Sequence, residues 1–212
     1  MCERLVKDKW MQYLEGNEVI IKQQFGFRRG RSCVTNLLSF YSRVVDIMQE
    51  RDGWADCVYL DLKKAFDKVP HRKLLWKLKH NGGLRGPLLR WMENFLTNRE
   101  MRTVVKDQKS SWREVISGVP QGSVLAPIMF AVYINDMTES VNSLFVDDAK
   151  LLKKVESAEE CGTLQDLNKI SEWSYRWEME FNLKKCKVIE WKKYKKSKRK
   201  LCVEWCTVEW SS

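Results

Sequence analysis

The stretch SLFVDDAKLLKKV, residues 143–155, places two adjacent carboxylates, Asp147 and Asp148, between two apolar runs. Apolar flanks around a short polar centre predict a β-hairpin with both acids at its tip, and aspartate is a common turn residue. Neighbouring carboxylates raise each other's pKa unless a cation or solvent relieves the repulsion. On this stretch alone a solvated turn is the simpler interpretation. The alternative, half of a metal site, needs a third carboxylate.

Asp61 supplies that third carboxylate. It lies near the end of DCVYLDL, residues 56–62, which predicts a β-strand with Val58 and Leu60 on one face. A strand-end aspartate together with an aspartate pair on a hairpin is what two-metal phosphoryl transfer requires, with the two Mg²⁺ ions roughly 3.5–4 Å apart. Mg²⁺ prefers hard oxygen ligands and usually takes one or two carboxylates plus phosphate oxygens. These three residues therefore indicate a nucleotidyl-transfer site.

The composition fits a globular protein of one or two lobes, with 212 residues of which 44% are hydrophobic. The longest apolar run, VLAPIMFAVYI at 124–134, contains Pro127 and is about half of the roughly 20 residues that span a bilayer, so no membrane association is expected. The first residues form no signal-peptide core, and seven irregularly spaced cysteines do not suggest a disulfide framework. We expect an intracellular protein, in the nucleus or cytoplasm, that is not secreted.

The net charge of +10 is concentrated in one tract. Residues 184–200 contain ten Lys and Arg residues and a single acid, Glu190, whereas the rest of the chain is nearly balanced. Such a tract binds phosphate backbones or acts as a nuclear address, and a flexible solvated tail is an equally good interpretation.

Helical and strand-like segments alternate irregularly, with hairpins between them, which favours an α+β fold over a doubly wound parallel sheet. Periodicity and capping signals predict helices over 4–14, over 36–53, from Pro70, from Pro87, over 124–137, and from a capping box at Ser157 and Glu160. Strands are predicted over 56–62, 102–105, 113–116 and 186–191, and in the 141–155 hairpin.

Five ordered motifs make the chain recognisable: QFGFRRGRS (24–32), YLDLKKAFDKVPH (59–71), SGVPQGSVLAPIMFAVYINDM (117–137), LFVDD (144–148) and WEMEFNLKKCKV (177–188). Together they closely resemble the reverse transcriptase of non-long-terminal-repeat retrotransposons, the jockey-like group in particular, over roughly residues 3–191. The resemblance implies a right-hand polymerase palm, a ferredoxin-like βαββαβ unit, with a partial fingers lobe and the thumb missing. It divides the chain into a fingers segment at 1–53, the palm at 54–191 and a basic tail at 192–212.

The resemblance also assigns the metal site. Asp61, Asp147 and Asp148 would be the catalytic carboxylates and the metal ligands, joined by the backbone carbonyl of Leu62. The ions would be two Mg²⁺, with Mn²⁺ as an alternative.

Nucleotide contacts follow from the same resemblance. Phe66 matches the steric-gate position, where a bulky ring crowds a ribose 2′-hydroxyl, although a plain core aromatic is the alternative. Gly118, Gln121 and Gly122 match the loop that packs under the incoming nucleotide, where small residues let backbone approach the ligand. A helix-entry turn is the alternative for that loop.

Basic residues complete the expected set. The family carries a basic residue near the triphosphate, which falls among Lys184, Lys185 and Lys187, with no choice among them. Contacts to nucleic acid would come from the fingers loop and the tail, namely Arg28, Arg29, Arg31, Lys192, Lys193, Lys195 and Lys196. The implied partners are an RNA template, a DNA primer and a dNTP.

The chain departs from the family pattern in three places. Val146 stands where the family usually has alanine, and retroviral enzymes also carry valine at this place, so the change is compatible with activity. An upstream fingers motif and the primer-grip and thumb regions have no counterpart that we can align. Two functions are therefore weighed: an RNA-directed DNA polymerase domain, and an inactive retrotransposon remnant that at most binds nucleic acid.

Overall fold

The structure, a computed structural model, describes residues 2–50, 53–139, 141–155 and 162–192. Its helices are α1 (Cys2–Gly16), α2 (Cys33–Gln49), α3 (His71–His80), α4 (Gly86–Leu96), α5 (Ala126–Tyr133) and α6 (Gly162–Trp177). Its longer strands are β1 (Trp54–Leu60), β6 (Ser143–Phe145), β7 (Asp148–Lys154) and β8 (Lys187–Lys192). The capping box predicted at Ser157 and Glu160 lies outside the described residues.

Four antiparallel strands form the main sheet, in the order β6-β7-β1-β8. Along the chain they alternate with helices as β1, helices, β6, β7, α6 and β8, which is the predicted ferredoxin-like βαββαβ pattern. Strand β1 is central, with Leu60 opposite Ala149 of β7 and Val58 opposite Val188 of β8. Its apolar residues are accordingly buried, as expected of a strand paired on both sides.

The chain divides into two compact units that interleave along the sequence. Within the described residues, the first comprises 2–21, 63–135 and 177–179, and the second comprises 22–50, 53–62, 136–139, 141–155, 162–176 and 180–192. Both therefore draw on segments that are far apart in the sequence. The linear assignment of fingers to 1–53, palm to 54–191 and tail to 192–212 stays a prediction.

The second unit contains the main sheet, and α2 packs on one of its faces. The amphipathic α2 starts at a capping box, in which the Ser32 side chain accepts from the Thr35 N–H. Buried side chains of α2 and of strands β1 and β7 form the core between them: Phe40, Val44, Ala55, Cys57 and Leu152. This core holds β1 in place, so Asp61, the residue that follows β1, is attached to a rigid strand.

The first unit is built around α5, whose residues are buried except for Pro127. The apolar run at 124–134 is thus a buried helix, as its length predicted. The helix ends at Tyr133, earlier than the predicted 137, and a 3₁₀ turn, Asn135–Glu139, follows. The Asn135 side chain explains the early end, because it donates to the Val19 carbonyl at 2.7 Å and accepts from the Ile21 N–H at 3.1 Å.

Two small hairpin pairings occupy the stretch between α4 and α5. Strand β2 (Glu100–Met101) pairs with β5 (Arg113–Glu114), and β3 (Val104–Val105) pairs with β4 (Gln108–Lys109). They lie within or beside the strand segments predicted at 102–105 and 113–116, but each strand has only two residues. Among the described helices, none combines the length and the hydropathy that a membrane-crossing segment needs.

Candidate active site

Asp147 lies in the two-residue loop between β6 and β7. Phe145 pairs with Asp148 across the loop, which leaves Val146 and Asp147 at the tip. Val146 has a φ of +59°, a region that β-branched residues rarely adopt because their side chains crowd the backbone there. Tight two-residue hairpins use positive φ to match the twist of their strands. The predicted hairpin is confirmed, but only one of the two acids lies at its tip, because Asp148 already begins β7. The tip is strained at Val146.

Asp61 is placed beside this hairpin by the register of the sheet. Leu60 pairs with Ala149, the residue after Asp148, so Asp61 leaves β1 at the end where the hairpin tip lies. The Asp61 carbonyl accepts a hydrogen bond from the Asn182 N–H at 2.7 Å, which fixes its backbone. Its carboxylate Oδ2 lies 3.3 Å from the Lys185 ammonium. The structure therefore brings together residues that are far apart in sequence.

The electrostatics of Asp147 show that these carboxylates act on one another. Burial raises the pKa of the Asp147 carboxyl above its ordinary value, and the charges of Asp148 and Asp61 raise it further. The Asp147 backbone N–H and the Lys185 charge act in the opposite direction. Ionising Asp147 is thus less favourable than ionising an ordinary exposed aspartate. Lys185 supplies one positive charge beside three aspartates, which offsets their mutual repulsion only in part.

The donor chemistry of this cluster fits a divalent cation. Carboxylate oxygens are the ligands that Mg²⁺ prefers. Burial, and after it the charges of Asp148 and Asp61, raise the pKa of Asp147, and a bound cation would favour its ionised form. Over the ranges 2–50, 53–139, 141–155 and 162–192, no three His, Cys, Asp or Glu side chains are grouped closely enough to hold an ion as they stand. The cluster is therefore a site of suitable chemistry, with one carboxylate engaged by Lys185.

Leu62 follows Asp61 and is 3% exposed. It forms an isolated antiparallel bridge with Phe181, and next to this bridge the Asp61 carbonyl accepts a hydrogen bond from the Asn182 N–H. Its proposed role as a carbonyl ligand stays a prediction.

The sequence left three candidates for the basic residue near the triphosphate, namely Lys184, Lys185 and Lys187. Of these, the structure places Lys185 at the carboxylates. Lys184 and Lys187 are exposed, and Lys187 begins β8. Lys192 ends that strand. Lys193, Lys195 and Lys196 lie outside the described residues.

Phe66 and Gly118 belong to the first unit and form a cluster of their own. The Phe66 ring is half-buried and stacks on the buried Phe130 ring, with centroids 4.7 Å apart. The Gly118 N–H donates to the Val69 carbonyl at 2.8 Å, and the Val119 N–H donates to the Phe66 carbonyl at 2.8 Å. Gly118 has a φ of +88°, and a Cβ there would lie 2.8 Å from the Asp67 carbonyl oxygen. Only glycine fits this contact.

Gln121 and Gly122 follow in the same loop. The Gln121 Nε2 donates to the Asp67 carboxylate at 2.6 Å, and both side chains are exposed. Gly122 has a φ of +86° and open space around it. The loop borders a cavity of about 850 Å³ that Asp67, Arg99, Ser117, Gly118 and Gln121 help to line. Their predicted contacts with a nucleotide stay predictions.

The fingers-loop arginines differ from one another. Arg29 is exposed, whereas Arg28 is half-buried. Arg31 donates to the Lys22 carbonyl at 2.8 Å, and its guanidinium lies over the Phe25 ring at 4.4 Å. Arg31 is thus used within the chain, and Arg29 is the most accessible of the three for phosphate contacts.

Two residues with roles in these clusters were not singled out from the sequence. Gln24 is buried and bonds to the Val146 N–H at 3.1 Å. His71 bonds the Gly118 carbonyl at 2.9 Å, and burial together with the Arg99 charge lowers its pKa. Gln24 is the first residue of the recognised motif QFGFRRGRS, but a buried role was not expected for it because glutamine is usually exposed. His71 was within a recognised motif, but its partner is 47 residues away.

The same fold and motifs occur in known proteins. Residues 2–204 match the family of reverse transcriptases, RNA-dependent DNA polymerases. The chain belongs to the reverse transcriptase family. This reverse transcriptase domain is 30% identical over 200 residues to the RNA-directed DNA polymerase from mobile element jockey of Drosophila melanogaster. The matched region covers 88% of this chain and 21% of that protein. It is 28% identical over 193 residues to the probable RNA-directed DNA polymerase from transposon X-element of the same species, covering 86% and 21%.

Solved structures agree on the fold. The reverse transcriptase domain matches apo telomerase from Candida tropicalis with a TM-score of 0.61 at 12% identity, over 92% of this chain and 41% of that chain. Telomerase from Candida albicans in complex with a fragment of telomeric RNA matches with a TM-score of 0.64 at 13% identity, over 87% and 33%. The predicted right-hand polymerase fold and the predicted jockey-like family are confirmed. The chain spans about a fifth of the length of its curated relatives.

Proposed function

We propose that this reverse transcriptase domain transfers a deoxynucleotide to the 3′-hydroxyl of a DNA primer, directed by an RNA template. The observation that supports the proposal is that Asp61 and the Asp147–Asp148 pair lie at the same end of the sheet, where the charges of Asp61 and Asp148 add to the effect of burial on the pKa of Asp147. Carboxylates held together against their own repulsion serve little structural purpose, and they suit a reaction that needs divalent cations.

We assign the ligand role to Asp61, Asp147 and Asp148, with the Leu62 carbonyl as a further ligand. When bound, two Mg²⁺ ions, or Mn²⁺ in their place, would lower the pKa of the attacking hydroxyl and stabilise the leaving pyrophosphate. Asp61 and Asp147 extend from two paired strands, so the sheet fixes their spacing. Lys185 keeps positive charge at the cluster and is suited to meet the triphosphate.

The remaining contacts of the proposal rest on the family resemblance. Phe66 would exclude a ribose 2′-hydroxyl, and Gly118, Gln121 and Gly122 would approach the nucleotide. Exposed Arg29 and half-buried Arg28 would contact template phosphates, together with the basic residues from Lys192 onward.

The test is primer extension by the purified 212-residue chain. With Mg²⁺, dTTP and an oligo-dT primer on poly-rA, we expect extension, and we expect no incorporation when dTTP is replaced by UTP. A folded chain that extends no primer with either metal ion would contradict the proposed activity.

Replacing Lys185 tests its role at the triphosphate. Lys185→Gln should raise the KM for dNTP several-fold, because the ammonium at the carboxylates is lost. Its affinity for Mn²⁺ should stay constant or increase, because a competing positive charge is removed. Steady-state kinetics and Mn²⁺ titration measure the two effects. Lys184→Gln is the matched control, since Lys184 is the adjacent lysine and is exposed like Lys185. An equal rise in the KM for dNTP in both variants would contradict the assignment.

A further inference from the structure

The turn that carries Asp147 is held from behind by the segment at residues 23–26. Gln24 and Leu144 form a parallel bridge, in which the Phe25 N–H donates to the Leu144 carbonyl at 2.8 Å and the Leu144 N–H donates to the Gln23 carbonyl at 2.9 Å. This segment, called the extra strand below, therefore pairs with β6 through a single β-bridge, and β6 leads directly into the turn.

The Gln24 side chain reaches from this extra strand into the turn itself. Its Oε1 accepts two hydrogen bonds, from the Gly26 N–H at 2.7 Å and from the Val146 N–H at 3.1 Å. Because both partners are donors, the atom facing them must be the amide oxygen. Gln24 is 1% exposed, and its Nε2 has no hydrogen-bond partner within the described part of the chain. An unpartnered buried donor costs about 1–3 kcal/mol, so the amide is retained at a cost to stability.

Gly26 shows how closely the two segments approach. A Cβ at Gly26 would lie 2.6 Å from Val146 Cγ2 and 2.7 Å from the Val146 backbone nitrogen. Val146 itself has a φ of +59°. Strained backbone of this kind costs on the order of 1–3 kcal/mol and persists only where the surroundings hold it. The Gln24 bond and the Gly26 contact are such surroundings.

The extra strand is anchored from its other side. Arg31 donates to the Lys22 carbonyl and lies over the Phe25 ring. The buried Asn36 donates to the Ser143 hydroxyl at 2.6 Å and to the Leu144 carbonyl at 3.3 Å, which ties the start of α2 to β6. These contacts hold the segment of Gln24 and strand β6 in place, so the hydrogen bond from the Val146 N–H to Gln24 restrains the turn.

We propose that Gln24 is a positioning residue, which holds the strained Val146–Asp147 turn so that the Asp147 carboxylate stays in place for the divalent cation. The inference rests on the proposed function for its catalytic consequence, but not for its structural one. Gln24 would not touch the substrate, and its effect would pass through the Val146 N–H.

Three variants of the full chain test the proposal. Gln24→Met keeps the length of the side chain and removes the acceptor, whereas Gln24→Glu keeps the acceptor. Gln23→Met makes the same change at the neighbouring, partly exposed residue. We expect Gln24→Met to lower kcat by roughly 10–100-fold, the usual effect of losing a partner that orients a metal ligand, with the KM for dNTP little changed. Mn²⁺ affinity should fall with kcat. Gln24→Glu should retain most of the affinity, and Gln23→Met should match the wild type.

The outcomes separate the two levels of the proposal. If the wild-type chain binds Mn²⁺ but extends no primer, the proposed function fails, and the Mn²⁺ affinities still decide the role of Gln24. A folded Gln24→Met variant with wild-type kcat and Mn²⁺ affinity would overturn the positioning role. Equal losses in Gln24→Met and Gln24→Glu would overturn it as well, because the acceptor would then be irrelevant.

One measurement needs no variant at all. Val146 and Lys106 are both the first residue of a two-residue hairpin loop, and both have positive φ. The bond to Gln24 predicts that the Val146 amide exchanges with solvent at least about tenfold more slowly than the Lys106 amide. Equal exchange rates would show that the bond does not hold the turn, even if Gln24→Met fails to fold.

Discussion

Asp147→Asn is expected to abolish primer extension and, at the same time, to stabilise the metal-free protein. The amide keeps the shape of the side chain but loses the charge that binds the cation. Because metal ions contribute several kcal/mol to such reactions and about 1.4 kcal/mol is a factor of ten, we expect a loss of roughly 10³-fold or more. Primer extension under single-turnover conditions measures this loss.

The stabilisation follows from the raised pKa of Asp147. A carboxyl whose pKa is higher in the folded state binds more protons there, so stability falls as pH rises from its ordinary pKa through the raised one. The asparagine variant does not pay this penalty. Without divalent ions it should unfold at a higher temperature than the wild type at neutral pH, and the difference should vanish at low pH. Mg²⁺ should stabilise the wild type but not the variant.

Asp107 provides a matched control for this experiment. Like Asp147, it is the second residue of a two-residue hairpin loop whose first residue has positive φ, but it is exposed in the small β3–β4 hairpin. Asp107→Asn should leave the extension rate unchanged, because Asp107 lies in a different hairpin from the carboxylates of the site. If Asp107→Asn and Asp147→Asn lost primer extension to the same extent, the assignment of a catalytic role to the β6–β7 turn would be wrong.

Gly118→Ala is expected to cause the largest loss of stability among simple substitutions in the recognised motifs. A methyl group there would meet backbone atoms, 2.8 Å from the Asp67 carbonyl oxygen and 2.9 Å from the Phe66 carbonyl oxygen. The left-handed backbone costs alanine roughly 1–2 kcal/mol, and the overpacking adds about 1–3 kcal/mol. Denaturant unfolding measures the sum.

Gly122→Ala separates the two contributions. Its φ of +86° is close to that of Gly118, but no heavy atom of another described residue, apart from its chain neighbours, lies within 4 Å of a Cβ at this position. It should therefore lose only the roughly 1–2 kcal/mol of backbone strain. Similar losses for both variants would mean that the close approach of the Gly118 loop to Phe66 and Asp67 is not a tight contact in solution.

The sequence predicted features that rest on local pattern or on ordered motifs. The hairpin at 143–155 was predictable because apolar runs flank a short polar centre, although its loop is Val146 and Asp147 rather than the two aspartates. The βαββαβ order followed from the motifs. The choice of Lys185 over Lys184 was not predictable, because two adjacent lysines in a loop have the same chemistry and differ only in where their side chains point. The early end of α5 depends on Asn135, whose partners are more than 100 residues away.

Gln24 shows the limit most clearly. Its motif was recognised, yet its function depends on a single bond to a backbone N–H 122 residues later in the chain. No periodicity or spacing encodes such a contact. Buried polar groups with distant partners are the part of a site that one sequence does not reveal.

The central position of β1 has a consequence for biosynthesis. Its partners on both sides, β7 and β8, are translated long after it, since Ala55 pairs with Lys154 and with Trp191. At about 5–20 residues per second, the ribosome needs roughly 5–20 s to cover the roughly 100 residues between β1 and the end of β7. During that time the apolar β1 has neither neighbour, and it is exposed to premature association. The nascent chain should therefore depend on chaperones most strongly before β7 emerges, because non-local strand pairing is slow even after synthesis.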